Sequence, residues 1–130
     1  PECTLAYLDL DGFKEVNDRH GHEAGDALLR RVVDAARLCL RKGDTMARLG
    51  GDEFVILLPD AGAETARGVL DEVQAAISAV GSHEQPITCS IGVVTCSGNS
   101  SSVEELIRRA DELMYSVKNT GKNAVAYGRY

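Results

Sequence analysis

The chain has 130 residues, 44% of them hydrophobic, enough for one compact domain that buries roughly two-thirds of the surface its unfolded form exposes. A formal net charge of −6 and an isoelectric point near 5.0 exclude a broad polyanion-binding surface, and with it a nucleic-acid partner, because such surfaces need clustered Lys and Arg. Cys3, Cys39, Cys89 and Cys96 form no CxxC pair and have no histidine at ligand spacing, so they read as free, largely buried thiols rather than a zinc site or a disulfide framework. No apolar run approaches the ~20 residues of a membrane span, and nothing resembles an export signal. A cytoplasmic domain is expected. The sequence starts almost directly on a strand, as expected of a piece of a longer chain.

Residues 4–9 are mostly apolar and closed by acids and Gly12, the pattern of a buried strand that delivers Asp9 and Asp11 to its edge. Residues 13–19 predict a short helix, followed by a turn over 21–25. Leu28, Val32, Ala35 and Cys39 then recur at helical spacing, with Arg41, Lys42 and Gly43 as the basic last turn and C-terminal glycine of that helix. Strands at 46–49 and 54–58 flank Gly50 and Gly51, where a tight hairpin needs positive φ or close backbone approach. Ala66, Val69, Leu70, Val73, Ile77 and Val80 mark a third helix, closed by Gly81.

Ile87, Cys89, Ile91 and Val93 alternate with Thr88, Ser90, Gly92 and Val94 as a strand whose second face, mostly small, suits cover by a helix. A serine-rich loop covers 97–102. Ser101 with Glu104, or Ser102 with Glu105, has capping-box spacing ahead of a helix that carries Leu106, Ala110, Met114 and Val117. A last strand covers 124–127. The order β-α-α-β-β-α-β-α-β implies an α+β sandwich, with a central, mainly antiparallel five-stranded sheet flanked by helices.

The run Arg48-Leu49-Gly50-Gly51-Asp52-Glu53-Phe54 is an address for a ligand. Its glycines admit a flat or phosphorylated group near the backbone, and its carboxylates suit the hard cation that accompanies polyphosphates. In a compact sheet this hairpin lies beside strand one, so three or four of Asp9, Asp11, Asp52 and Glu53 converge with few cations nearby. A shared divalent ion relieves that repulsion, and oxygen-only donors point to Mg²⁺ or Mn²⁺. The competing reading makes Asp11 a helix cap and Asp52 a turn residue.

Lys14, Lys118 and Lys122 are either phosphate contacts or solvated surface lysines. Asn17, His22 and Asp26 can read a base edge, or Asp26 caps the second helix. Arg41 and Asp44 combine a guanidinium with a carboxylate, able to grip a guanine edge and a phosphate together.

Gly50-Gly51-Asp52-Glu53-Phe54 resembles the signature of the GGDEF domains, the bacterial diguanylate cyclases. Further blocks match in order and spacing: Asp9-Leu10-Asp11-Gly12-Phe13-Lys14 with Asn17-Asp18, Gly21-His22 to Gly25-Asp26, Arg109-Ala110-Asp111 to Lys118, and Gly121-Lys122-Asn123. Together they cover nearly the whole chain. The resemblance implies a palm-like nucleotidyl cyclase fold and the reaction 2 GTP → cyclic di-GMP + 2 pyrophosphate. It gives Asp9, the Leu10 carbonyl and Asp52 to the metal, with Glu53 beside them, and Asp52, Glu53 and Lys14 to the chemistry. Asn17, Asp26 and His22 go to the guanine, Lys14, Lys118 and Lys122 to the triphosphate, and Gly50 and Gly51 to the substrate's approach.

One pocket holds one GTP, so the resemblance implies a homodimer with two domains face to face, driven by an upstream sensor or regulatory domain in a longer signalling protein. It makes Arg41 and Asp44 an inhibitory site for the product. Two departures stand out: Glu72 occupies the place where some members carry a product-clamping arginine, and the usual turn and helix before strand one are missing. The alternative is a noncatalytic receptor that binds cyclic di-GMP or GTP.

Overall fold

The structure, a computed structural model, describes residues 1–98 and 102–130. Its elements are β1 (Glu2–Asp11), α1 (Phe13–His20), α2 (His22–Arg37), β2 (Thr45–Gly50), β3 (Glu53–Leu58), α3 (Ala63–Val80), β4 (Thr88–Ser97), α4 (Val103–Lys118) and β5 (Val125–Arg129). The sheet order is β2-β3-β1-β4-β5; only the β4–β5 pair is parallel. The expected order of elements and the mixed, mainly antiparallel sheet are both observed.

Strand alternation divides the core. Ala6, Leu8 and Leu10 of β1, with Phe54, Ile56 and Leu58 of β3, face α1, α2 and α3. Leu5 and Tyr7 of β1, with Val94 and Cys96 of β4, face Leu106, Ala110 and Met114 of α4. Each fully buried Leu or Ile contributes about 1.5–3 kcal/mol relative to exposure, so both faces hold the sheet. Gly92 lets α4 lie directly on β4, since a Cβ there would strike the Ala110 carbonyl and the Met114 amide. The small second face expected of β4 is the seat of α4.

Several boundaries move. β1 runs to Asp11 because its last residues pair with Thr88 and Cys89 of β4. The helical period through Cys39 overshoots: α2 ends at Arg37, and the Cys39 and Leu40 amides reach back only three residues, to Ala36 and Arg37, tightening the chain out of the helix. Gly43, with φ +95°, serves the turn into β2 instead of closing α2. Gly25 lies buried inside α2, where an added methyl would collide with the Asn17 amide, so the turn between α1 and α2 is Gly21 alone.

Ser102 caps α4, its hydroxyl accepting from the Glu105 amide; Ser101 and its pairing with Glu104 lie outside the described residues. All four cysteines are free, with Cys3 opposite Cys96 across β1 and β4. Among the described residues, no helix is long and apolar enough to cross a membrane.

Candidate active site

Period two along β1 places Tyr7, Asp9 and Asp11 on the face covered by α4. β3 pairs antiparallel with β1, setting Glu53 opposite Asp9, and the Leu10 amide donates to the Asp52 carbonyl at 3.1 Å. The hairpin tip is thereby tied to the strand end. Gly51, at φ +51°, takes the left-handed turn that this two-residue connection requires.

One cation enters this acidic end. Lys118, the last residue of α4, places its Nζ 2.7 Å from Asp11 Oδ1, 3.2 Å from Asp9 Oδ1 and 3.1 Å from the Leu10 carbonyl. Asp11 also accepts from the Thr88 hydroxyl at 2.7 Å, the Ser90 hydroxyl at 2.8 Å and the Asn123 amide at 3.1 Å. It is not a helix cap: α1 starts on Gly12, with no side-chain cap. Burial opposes its charge, but the hydrogen bonds from Lys118, Thr88 and Ser90 outweigh that and hold its carboxyl below the usual range. Lys118 is likewise opposed by burial, yet Asp11 and Asp9 keep it firmly charged.

Asp9 is in the reverse position. Burial first, then the charge of Asp52, push its carboxyl up to about 6 in spite of Lys118. Asp52 is raised too, again chiefly by burial. Glu53 accepts from the Tyr7 hydroxyl at 3.1 Å, and burial with this carboxylate keeps the phenol protonated well above its ordinary range. Among the described residues no three acidic, thiol or imidazole side chains gather closely enough to hold a metal alone, which corrects the expected convergence of three or four carboxylates. The reason is physical: Lys118 has entered the cluster, and Asp11 is saturated. What remains at this end, Asp9 and Asp52 with the Leu10 carbonyl and Glu53 nearby, is all oxygen and carries surplus negative charge, the donor chemistry that suits a hard divalent ion although no three of the acids gather around one point.

The other expected residues lie around this end or apart from it. An open cleft of about 450 Å³ between α2 and the hairpin is lined by Asp26, Leu29, Arg30, Val33, Arg48 and Phe54, among others. Arg48 Nε donates to the Gly51 carbonyl at 2.9 Å. Asn17 keeps a buried Oδ1 without a donor among the described residues, beside Gly25. His22 opens α2 and is exposed, as are Lys14 on α1 and Lys122 in the turn after α4. Asp26 does not cap α2, whose N-terminus is Gly21 without a side-chain cap.

Arg41 and Asp44 meet at a separate corner, Nη2 to Oδ1 at 2.9 Å and Nε to Oδ2 at 3.1 Å, with Nη2 also on the Pro59 carbonyl at 3.0 Å. Tyr7, Thr88, Ser90 and Asn123 were not singled out as site residues from the sequence. Counting by twos from Asp9 finds Tyr7, and Thr88 and Ser90 stand on the small face of β4.

Comparisons with known proteins agree with this fold. Residues 2–124 match the family model described as diguanylate cyclase, GGDEF domain. The chain belongs to the GGDEF family. It is 42% identical over 126 residues to diguanylate cyclase DgcP of Pseudomonas aeruginosa, covering 94% of this chain and 19% of that protein. Diguanylate cyclase DgcM of Escherichia coli is 39% identical, with 95% of this chain and 30% of that protein covered. This GGDEF chain thus spans less than a third of the length of either relative. The GGDEF domain of DgcB from Caulobacter crescentus, solved in complex with c-di-GMP, matches with a TM-score of 0.86 at 29% identity, over 97% of this chain and 77% of that one.

Proposed function

We propose that this chain is a single catalytically competent diguanylate cyclase domain, which joins two GTP into cyclic di-GMP and releases two pyrophosphates between two facing copies. The observation that carries the reading is the strand end where Asp9, Leu10, Asp52, Glu53 and Lys118 come together beside an open cleft in a GGDEF-family fold. Asp9, the Leu10 carbonyl, Asp52 and Glu53 would hold Mg²⁺ or Mn²⁺, which when bound polarises phosphate oxygens and eases loss of a hydroxyl proton.

The chain's own groups do the rest. Lys118, Lys122 and Lys14 balance triphosphate charge. Asn17, whose buried Oδ1 lacks a donor among the described residues, takes an N–H of the guanine, with Asp26 and His22 on the adjoining helix. Gly50 and Gly51 leave space at the hairpin, since a Cβ on either would meet nothing within 4 Å. A proton from the attacking 3′-hydroxyl passes to a carboxylate or water at the Asp52 and Glu53 end, and the oxygen attacks the α-phosphate of the GTP on the facing copy.

Each copy carries one such end, so turnover requires a homodimer, brought together by a regulatory segment of the parent protein. GTP as substrate places the domain in the cytosol. Arg41 and Asp44 form the product brake, with Glu72 in place of a cross-clamping arginine. The test is a forced dimer, made by a fused coiled coil, with GTP and Mg²⁺. Cyclic di-GMP should accumulate. Nucleotide binding without product would sink the cyclase reading in favour of a receptor, and then only Arg41→Ala, not Asp52→Ala, would abolish cyclic di-GMP binding.

A further inference from the structure

Lys118 contacts three oxygens, and two of them, on Asp9 and Leu10, are donors assigned above to a divalent ion. An ammonium and a metal cannot share that position. Asp11 is different, because its two oxygens already take four donors: Lys118 and Ser90 on Oδ1, Thr88 and the Asn123 amide on Oδ2. These come from α4, from β4 and from the turn after α4, so the carboxylate is fixed from three elements. No lone-pair site is left on it for a metal. Lys118, by contrast, carries three rotatable donors on a flexible stem and can move about a fixed acceptor.

We propose that Lys118 is the resident cation of the acidic end, and that a divalent ion enters by exchange, Lys118 giving up Asp9 and Leu10 while staying on Asp11. The proposal rests on the reading of this end as a cyclase metal site. Asp11 is then a positioning residue that acts through Lys118. Without metal, the ammonium keeps the acidic end from opening by repulsion. After exchange, the donors it withdrew from Asp9 and Leu10 are free for an incoming phosphate, so metal and nucleotide favour each other.

The test uses the 130-residue chain without nucleotide, its Lys118→Met and Asp11→Asn variants and the double variant. Mn²⁺ binding is followed by electron paramagnetic resonance of the free ion, and folding by thermal melting. Lys118→Met should bind Mn²⁺ about tenfold more tightly, the scale of one charge-assisted contact no longer competing. Asp11→Asn releases the lysine onto Asp9 and Leu10, and should bind several-fold more weakly. In the Lys118→Met background the Asp11 effect should vanish.

An Asp11 effect that persists without the lysine is plain charge attraction and overturns the positioning role. Lys118→Met binding no more tightly overturns the exchange, while leaving the metal site standing. If the lysine variant melts too low to measure, the Lys118 ammonium resonance of the parent decides: Mg²⁺ should shift it, and a resonance unmoved while Mg²⁺ binds overturns the proposal. A parent that binds no Mn²⁺ at all overturns the metal-site reading itself.

Discussion

At the Arg41 corner one aspartate meets one guanidinium. Asp44 accepts two side-chain donors and the Arg41 amide at 2.7 Å, and its side chain is 1% exposed. At the end of β1 a single ammonium is shared between Asp9, Asp11 and a carbonyl, with Asp52 and Glu53 adding charge that it offsets only in part. The first site is electrically closed and works as a pin between the α2–β2 turn and the end of β3. The second is left short of positive charge, and Asp9 registers the shortfall. A site that takes a cation has to be unfinished without it, and of these two the β1 end is the one that meets that condition.

The comparison breaks first at Asp52. In a forced dimer, Asp52→Ala should lower cyclic di-GMP formation by about 10²–10³-fold or more, the scale of losing a group that stabilises transition-state charge. Chromatography of product against time measures it, with melting to show that the variant is folded. Loss of less than tenfold would mean that the surplus charge is not catalytic.

Next in size is Gly92→Val. Its side chain would drive α4 off β4, at about 3 kcal/mol or more, and would carry Lys118 away from Asp9 and Asp11. The Arg41 corner lies in the turn before β2 and just past the end of β3, away from α4, so its product affinity should outlast the loss of turnover. Equal loss at both places would show that the two regions are not independent. Arg41→Ala acts in the opposite sense: the cyclic di-GMP concentration that halves turnover should rise at least about tenfold, the scale of one bidentate contact. An unchanged inhibition curve would leave this corner as a structural pin only.

How much of this was legible in the sequence depended on range. Strand alternation and helical spacing are enforced by burial, so β1, β4 and the apolar faces of α3 and α4 could be read from apolar positions alone. The end of α2 could not, because its apolar period continues through Cys39 while the backbone has already tightened at Arg37. The acidic residues of the site were readable, since Asp9, Asp52 and Glu53 stand at strand ends. Their cation was not. Lys118 reaches Asp11 across 107 positions, and nothing in local spacing shows that a lysine at the end of one helix will be spent on the first strand rather than on solvent. Asp11 looked like a cap for the same reason: all four of its partners lie beyond position 87.

The smallest expected effect is the one that reads the unfinished charge most directly. With Asp9 raised from an ordinary 3.8 to about 6, its ionised form is disfavoured in the folded state. The folded protein therefore holds this proton over a range where the unfolded chain has released it, so lowering the pH from about 7.5 towards 5 stabilises the fold without metal, until other carboxylates begin to titrate. At neutral pH, allowing for relaxation and for partial screening by water, the strain amounts to about 1 kcal/mol, a few degrees in melting temperature. Asp9→Asn should remove that part of the pH dependence and melt higher than the parent at pH 7.5 without metal. Saturating Mg²⁺ should reverse the order, because the parent gains a bound ion that the variant holds poorly. A parent whose metal-free stability falls on going from pH 7.5 to 5.5 would show that Lys118 already neutralises Asp9, and the contrast with the Arg41 corner would then collapse.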